Sequence, residues 1–241
     1  MTTQPETIHA EAIQVDAHDE LGLLAAKVLL DTGAVLFRPD RPFFFSSGWA
    51  SPVYVDCAKA ISYPMARDAL IELSIRRIQS VVGYAALDGI AGAEGGGVPF
   101  AAIIADRLHL PLVIARKQSA GLGPHAQTDG EIAPGNRMLL VDDVTTDGRT
   151  KASMSEALRK AEAAVRFAFV IFRYGIFDAV MRQEDLGVEL FSLLTWRELL
   201  AVAHRERAFA PDIIDKIEDY VADPLRWSSK HGGLSAANFV R

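Results

Sequence analysis

Between Leu87 and Thr195 short apolar runs alternate with segments of helical spacing, and nothing else narrows the possible folds of this 241-residue chain as far. Leu87 to Ala91, Pro111 to Ala115, Arg137 to Val144, Phe167 to Phe172 and Val188 to Thr195 read as strands. Val98 to Leu108 and Thr150 to Ala163 read as helices between them. Such alternation builds βαβ units, so the expected class is α/β with a mainly parallel central sheet flanked by helices. Ahead of it, apolar residues recur at helical spacing from Leu21 to Val35, with Gly33 placed to close the helix, and Pro64 opens an amphipathic helix running to Val82. After it, Arg197 to His204 and Pro211 to Ala222 are helical in pattern. Ligands of parallel sheets bind beyond the carboxyl ends of the strands. Three loops fall there: Gly92 to Gly97, Arg116 to Gly130 and Asp142 to Thr150.

The last of these carries the most chemistry. The apolar run Met138-Leu139-Leu140-Val141 stops at Asp142 and Asp143, and Val144-Thr145-Thr146-Asp147-Gly148-Arg149-Thr150 follows before a helix begins. A strand, a tight turn and a helix N-terminus present free backbone N–H groups and the positive end of a helix dipole, which suit a phosphate. Threonine hydroxyls add donors, and Gly148 permits close backbone approach. The paired acids would repel a bare phosphate. They make sense facing hydroxyl groups, such as the cis-diol of a ribose, while the turn holds its 5′-phosphate.

Glu94-Gly95-Gly96-Gly97 sits between a strand and a helix, where successive N–H groups form an anion nest suited to pyrophosphate. The stretch Arg116 to Gly135 has no periodicity, and loops of that length are usually functional or disordered. Upstream, Phe43 to Asp56 is aromatic-rich and punctuated by Ser46-Ser47-Gly48 and Ser51-Pro52, which predicts two short strands. Its small residues leave room for a flat heterocycle beside Phe45 or Tyr54.

The twin acids with their Thr/Gly turn resemble the ribose-phosphate signature of the type I phosphoribosyltransferases. The stretch Ser46 to Asp56 resembles the corresponding segment of orotate phosphoribosyltransferases, and Arg116 to Gly130 their mobile catalytic loop. The resemblance covers about Leu21 to Trp196. It implies a type I phosphoribosyltransferase fold with an N-terminal hood, Mg²⁺ arriving with phosphoribosyl pyrophosphate, orotate as acceptor, and a homodimer whose loop reaches the partner's site. It divides the chain into a tail (1–20), a phosphoribosyltransferase domain with hood (21–196) and a helical C-terminal extension (197–241). Asp142, Asp143 and Lys117 would be catalytic. Thr145 to Thr150 with Val144 would hold the 5′-phosphate, Glu94 to Gly97 the pyrophosphate, and Arg116 and Lys117 its charge. Ser47 and Tyr54 would contact the base. Arg173 would either meet the orotate carboxylate or be a plain surface arginine.

The chain departs from the pattern inside the loop, where the family's Lys and His are replaced by Ala120 and Leu122, and after Asp56, where Ala58 replaces an Arg. Two readings stay open. His125 and Lys59 substitute, or the protein is a paralogue that binds phosphoribosyl pyrophosphate or a nucleotide as a sensor, or acts on another base.

A net charge of −6 without a basic run argues against nucleic acid. No apolar stretch has transmembrane length, and the polar, acidic first residues are unlike a signal peptide, so no membrane and a cytoplasmic location are expected. A single cysteine, Cys57, permits no disulfide within the chain and reads as a small buried hydrophobe. No cluster has the spacing of a dedicated metal cage.

Overall fold

A computed structural model of the protein describes residues 19–119, 123, 126–176 and 186–235. His125, Ala120, Leu122 and the tail to residue 18 lie outside the described residues.

Helix α1 (Glu20–Asp31) is capped by Asp19, whose carboxylate accepts from the Gly22 N–H at 3.2 Å. It ends at Asp31 with Thr32 as its C-cap, and Gly33, the next residue, closes it as expected with a left-handed turn (φ +61°) that frees Val35 for strand β1 (Val35–Phe37). β1 pairs antiparallel with β4 (Val53–Val55), and β2 (Phe43–Phe44) with β3 (Ala50–Ser51). The aromatic-rich segment therefore contributes three short strands, not the two expected, to two small ribbons. Helices α2 (Cys57–Ile61) and α3 (Pro64–Val81) lead into the main sheet.

That sheet contains β5 (Gly89–Ala93), β6 (Leu112–Ala115), β7 (Thr128–Asp129), β8 (Arg137–Thr145), β9 (Ala164–Arg173) and β10 (Glu189–Thr195), in the spatial order β10-β9-β8-β5-β6-β7. All described pairings are parallel except that of β7, a short edge strand. β7 lies inside the stretch that lacks periodicity. Two paired residues carry too little pattern to be seen in sequence, and the pairing itself holds them (Ile114 with Asp129, Ala115 with Thr128).

Helix α4 (Gly97–Leu108) follows β5, and α5 (Arg149–Lys160) follows β8. They lie on opposite faces. Along β8, Leu139 and Val141 join the core that holds Phe100 and Ile104 of α4, whereas Met138 and Leu140 join the core that holds Met154 and Leu158 of α5. A strand buried on both sides must be apolar throughout, which is why β8 reads as a continuous run.

After β10 come α6 (Trp196–Glu206), α7 (Pro211–Ala222) and α8 (Pro224–Lys230). α6 and α7 are part of the main core through Leu199, Leu200, Val202, Ile214, Ile217 and Tyr220. α8 was not foreseen from periodicity. Pro224 and the Asp223 side chain, which accepts from the Arg226 N–H at 3.0 Å, start it. No helix among the described residues is long and apolar enough to cross a membrane.

Candidate active site

The chain moves away from β5 in one direction, through α4 to β6, and away from β8 in the other, through α5 to β9. A crevice opens at such a reversal. Here it lies between the glycine loop after β5 and the acids at the end of β8. Gly96 is pressed so close to the Asp143 carboxylate that a Cβ there would collide with it, and a Cβ on Gly97 would stand 2.6 Å from the Val141 carbonyl oxygen. The glycines are needed for contact with the twin acids.

The two acids are not equivalent. Asp142 is buried, at 7% exposure, and its Oδ2 is held by the Nζ of Lys151 from the first turn of α5. The same ammonium donates to the Val144 carbonyl at 2.7 Å. Asp142 Oδ1 accepts from the Asp143 N–H at 2.9 Å, and Asp143 Oδ1 from the Val144 N–H at 2.8 Å. Burial, and then the neighbouring charge of Asp142, push the Asp143 carboxyl up to about 7. One acid is thus committed to an internal ion pair, and the other meets the crevice with a raised affinity for protons.

The turn between β8 and α5 is held by a separate set of contacts. Gly148, at the N-cap of α5, adopts φ +84° and has no side chain to cap it; the Asp147 carboxylate accepts from the Arg149 N–H at 3.2 Å. Asp147, 2% exposed, points inward and accepts from Trp49 Nε1 at 3.0 Å and from Arg149 Nε at 3.0 Å. Its carboxylate, expected to face a ligand, is a strut. Arg149 is directed to Asp147 and to the Ser47 carbonyl at 2.8 Å. The buried Thr145 Oγ1 has no hydrogen-bond partner among the described residues. Thr146 Oγ1 lies 3.2 Å from Ser47 Oγ.

A cavity of about 360 Å³ joins these pieces. Asp142 and Asp143 line its floor, and Val144 to Gly148 with Thr150 one wall. Glu94, Gly96 and Lys117 line a second wall, and Phe45, Ser47 and Tyr54 its roof. Tyr54 packs on Phe43 (5.5 Å) and Phe45 (6.3 Å), and burial followed by the charges of Asp56 and Asp143 raises its phenol. Glu94 is fixed by the Lys117 N–H, which donates to it at 2.8 Å.

Several expected residues stand behind this surface. Arg116 is paired with Asp129 at 2.5 Å and approaches Glu94 at 3.8 Å, so its charge serves the base of the loop. Gly95 turns the loop with φ +104°, and Gly97 lies against Val141 and Asp142. Arg173 ends β9, paired in register with Thr145 and Thr195, and does not line the cavity. Lys59 donates to the Gly33 carbonyl at 2.9 Å, at the end of α1, and is not positioned to replace a missing site arginine.

Comparison with known proteins agrees with this geometry. The family described as "Phosphoribosyl transferase domain" matches residues 64–179. Orotate phosphoribosyltransferase of Ruegeria sp. is 40% identical over 210 residues, covering 87% of this chain and 93% of that protein. That of Cereibacter sphaeroides is 41% identical over 210 residues, 87% of this chain and 90% of the other. The chain belongs to the orotate phosphoribosyltransferase family. Among solved structures, the orotate phosphoribosyltransferase of Aeropyrum pernix superposes with a TM-score of 0.63 at 29% identity, covering 76% of this chain and 99% of that one. UMP synthase of Leishmania donovani shares the fold, with a TM-score of 0.71 at 24% identity over 85% of this chain and 43% of that one.

In this member of the orotate phosphoribosyltransferase family, sequence reasoning passed over Lys151, Trp49 and Tyr174. Lys151 had a faint signal, a lysine in the first turn of a helix whose other buried positions are apolar or small. Tyr174 is fully buried and accepts from the Val55 N–H at 2.7 Å, tying β4 to the end of β9. Nothing local marks that role.

Proposed function

We propose that this protein transfers the phosphoribosyl group of phosphoribosyl pyrophosphate to orotate, yielding orotidine 5′-monophosphate and diphosphate. One observation carries the reading: the N-terminus of α5, with Thr145, Thr146 and Thr150 about it, opens into the same cavity as Asp143. An anionic phosphoryl group and a hydroxyl-bearing sugar can be met there together.

In this reading the turn Thr145 to Thr150 holds the 5′-phosphate and Asp143 accepts from the ribose hydroxyls. Asp142, locked by Lys151, fixes the orientation of Asp143. The bond from the anomeric carbon to the diphosphate oxygen breaks, and a ring nitrogen of orotate forms the new bond. Positive charge grows on the sugar, and the Asp143 side of the crevice is the electronegative wall facing it. Lys117 stands where negative charge grows on the leaving diphosphate. The roof formed by Phe45 and Tyr54 covers the acceptor ring and excludes water.

Magnesium suits this site as a companion of the donor. Among the described residues no group of three or more His, Cys, Asp or Glu could hold a metal ion; of the carboxylates bordering the cavity, Asp142 and Asp147 are taken up by Lys151, Trp49 and Arg149, which leaves Asp143 and Glu94 to share an ion. One or two protein carboxylates completed by phosphate oxygens is the usual arrangement for this ion. When bound, it neutralises diphosphate charge. A homodimer, in which the loop beyond Lys117 reaches the partner's site while Lys117 stays at its own, belongs to the same reading. So does a cytoplasmic location, because phosphoribosyl pyrophosphate is highly charged and orotate is an anion, and neither crosses a bilayer unaided.

The test is thermal-shift titration with phosphoribosyl pyrophosphate and Mg²⁺, followed by orotate-dependent absorbance change. A ligand at 100 times its Kd raises stability by about 2.7 kcal/mol. Stabilisation with turnover supports transfer. Stabilisation without turnover favours the sensor reading suggested by Ala120 and Leu122. Absence of both rejects the site.

A further inference from the structure

The end of the described chain is fastened to the phosphate turn through the roof of the cavity. Ser228 on α8 is fully buried, and its Oγ accepts from the Ala50 N–H at 3.0 Å and donates to the Leu234 carbonyl at 2.8 Å. The Leu234 N–H donates to the Gly48 carbonyl at 2.9 Å. Gly233 threads between, where a Cβ would lie 2.5 Å from the Ala50 nitrogen. The Leu234 side chain closes over Gly48, where a Cβ would meet it at 3.0 Å. Residues 228–234 thus clasp the backbone on both sides of Trp49.

Trp49 is fully buried and spends its indole N–H on Asp147, inside the phosphate turn. Ser47, next but one, meets Arg149 and Thr146 of the same turn. Each link is a directed hydrogen bond, and the Ser228 hydroxyl and Trp49 indole in the chain of contacts are shielded from water. Such bonds hold position, because a buried donor or acceptor left unpaired is costly.

We propose that the clasp made by Ser228 and Leu234 is a positioning device for the phosphate turn, acting through Trp49 and Asp147 to set the affinity for the donor's 5′-phosphate. The proposal rests on the functional reading above, in which Thr145 to Thr150 bind that phosphate. None of these clasp residues touches the reacting atoms.

The experiment uses the full chain with Ser228→Ala, Leu234→Ala, Trp49→Phe and the Ser228→Ala/Trp49→Phe pair, and follows KM for phosphoribosyl pyrophosphate, kcat and Tm. Ser228→Ala and Trp49→Phe should each raise that KM about tenfold, equivalent to about 1.4 kcal/mol of binding, with kcat within about twofold. The pair should do little more than either single variant, since both cut the same path. Should Ser228→Ala lower Tm while that KM stays at the wild-type value, the clasp is only structural and the proposal is overturned. Additive effects of the two changes would also overturn it. If the wild-type protein neither binds phosphoribosyl pyrophosphate nor turns it over, the functional reading has failed instead. That outcome is distinguishable because it appears before any substitution is made.

Discussion

Replacing Lys151 by Met tests the internal ion pair most directly. The two side chains are similar in length, so packing is largely kept while the charge is lost. The Lys151 side chain is 6% exposed and that of Asp142 10%, so neither charge can turn to water. Removing one partner of a buried pair costs about 3–5 kcal/mol, because the other charge is stranded. Here the penalty is sharpened by Asp143 beside it, and the Val144 carbonyl also loses its donor. For a domain of this size, about 2–4 °C of Tm goes with each kcal/mol, so a fall of roughly 6–20 °C is expected. Differential scanning calorimetry at neutral pH reads it. Lys151→Met/Asp142→Asn should recover at least half of the loss, because the stranded charge is gone. A fall under about 3 °C, or a double variant no more stable than the single, would refute the claim that Lys151 compensates Asp142.

Further outcomes follow from the same geometry. The unfolded chain loses the Asp143 proton near the ordinary carboxylate range, whereas the folded protein holds it to about pH 7. Stability should therefore fall by up to about 4 kcal/mol as pH rises from about 4 to 7 and level off above, and Asp143→Asn should flatten this region of a urea-denaturation series. Gly96→Ala forces the loop or the Asp143 carboxylate to move, and turnover should drop by about 100-fold or more, against a modest change at the exposed Gly135. Lys117→Ala should lower kcat by roughly 10²–10³-fold, as loss of a group that stabilises transition-state charge does. Mixing Lys117→Ala with Asp143→Asn protein should restore nothing, because both residues line the cavity of one chain. Recovery of activity in mixed dimers would show that Lys117 works across subunits.

Much of the architecture was legible in the chain because the signals are local. β8 and the helix after it are a continuous apolar run followed by a turn, and Gly33 and Pro64 mark helix boundaries within a residue or two of where they fall. β1, β7 and α8 were not legible. They are two, three or seven residues long and depend on partners elsewhere or on a single cap. The twin acids stood out by type, but their division of labour did not. It depends on which face of α5 presents Lys151, and helix periodicity alone does not say what that face meets.

By itself the sequence determined that strands and helices alternate, that three polar loops gather at one edge of the sheet, and that acids, glycines and threonines stand there. Those properties follow from residue type and spacing along a few turns of chain. Only the tertiary structure decided that Trp49 would brace Asp147, 98 residues away, that Tyr174 would hold Val55 across 119, and that Ser228 would reach Ala50 across 178. Each of these bonds is made by one buried donor finding one buried acceptor after the layers have packed. Folding forces such pairs to be satisfied, yet no short-range pattern names the partners.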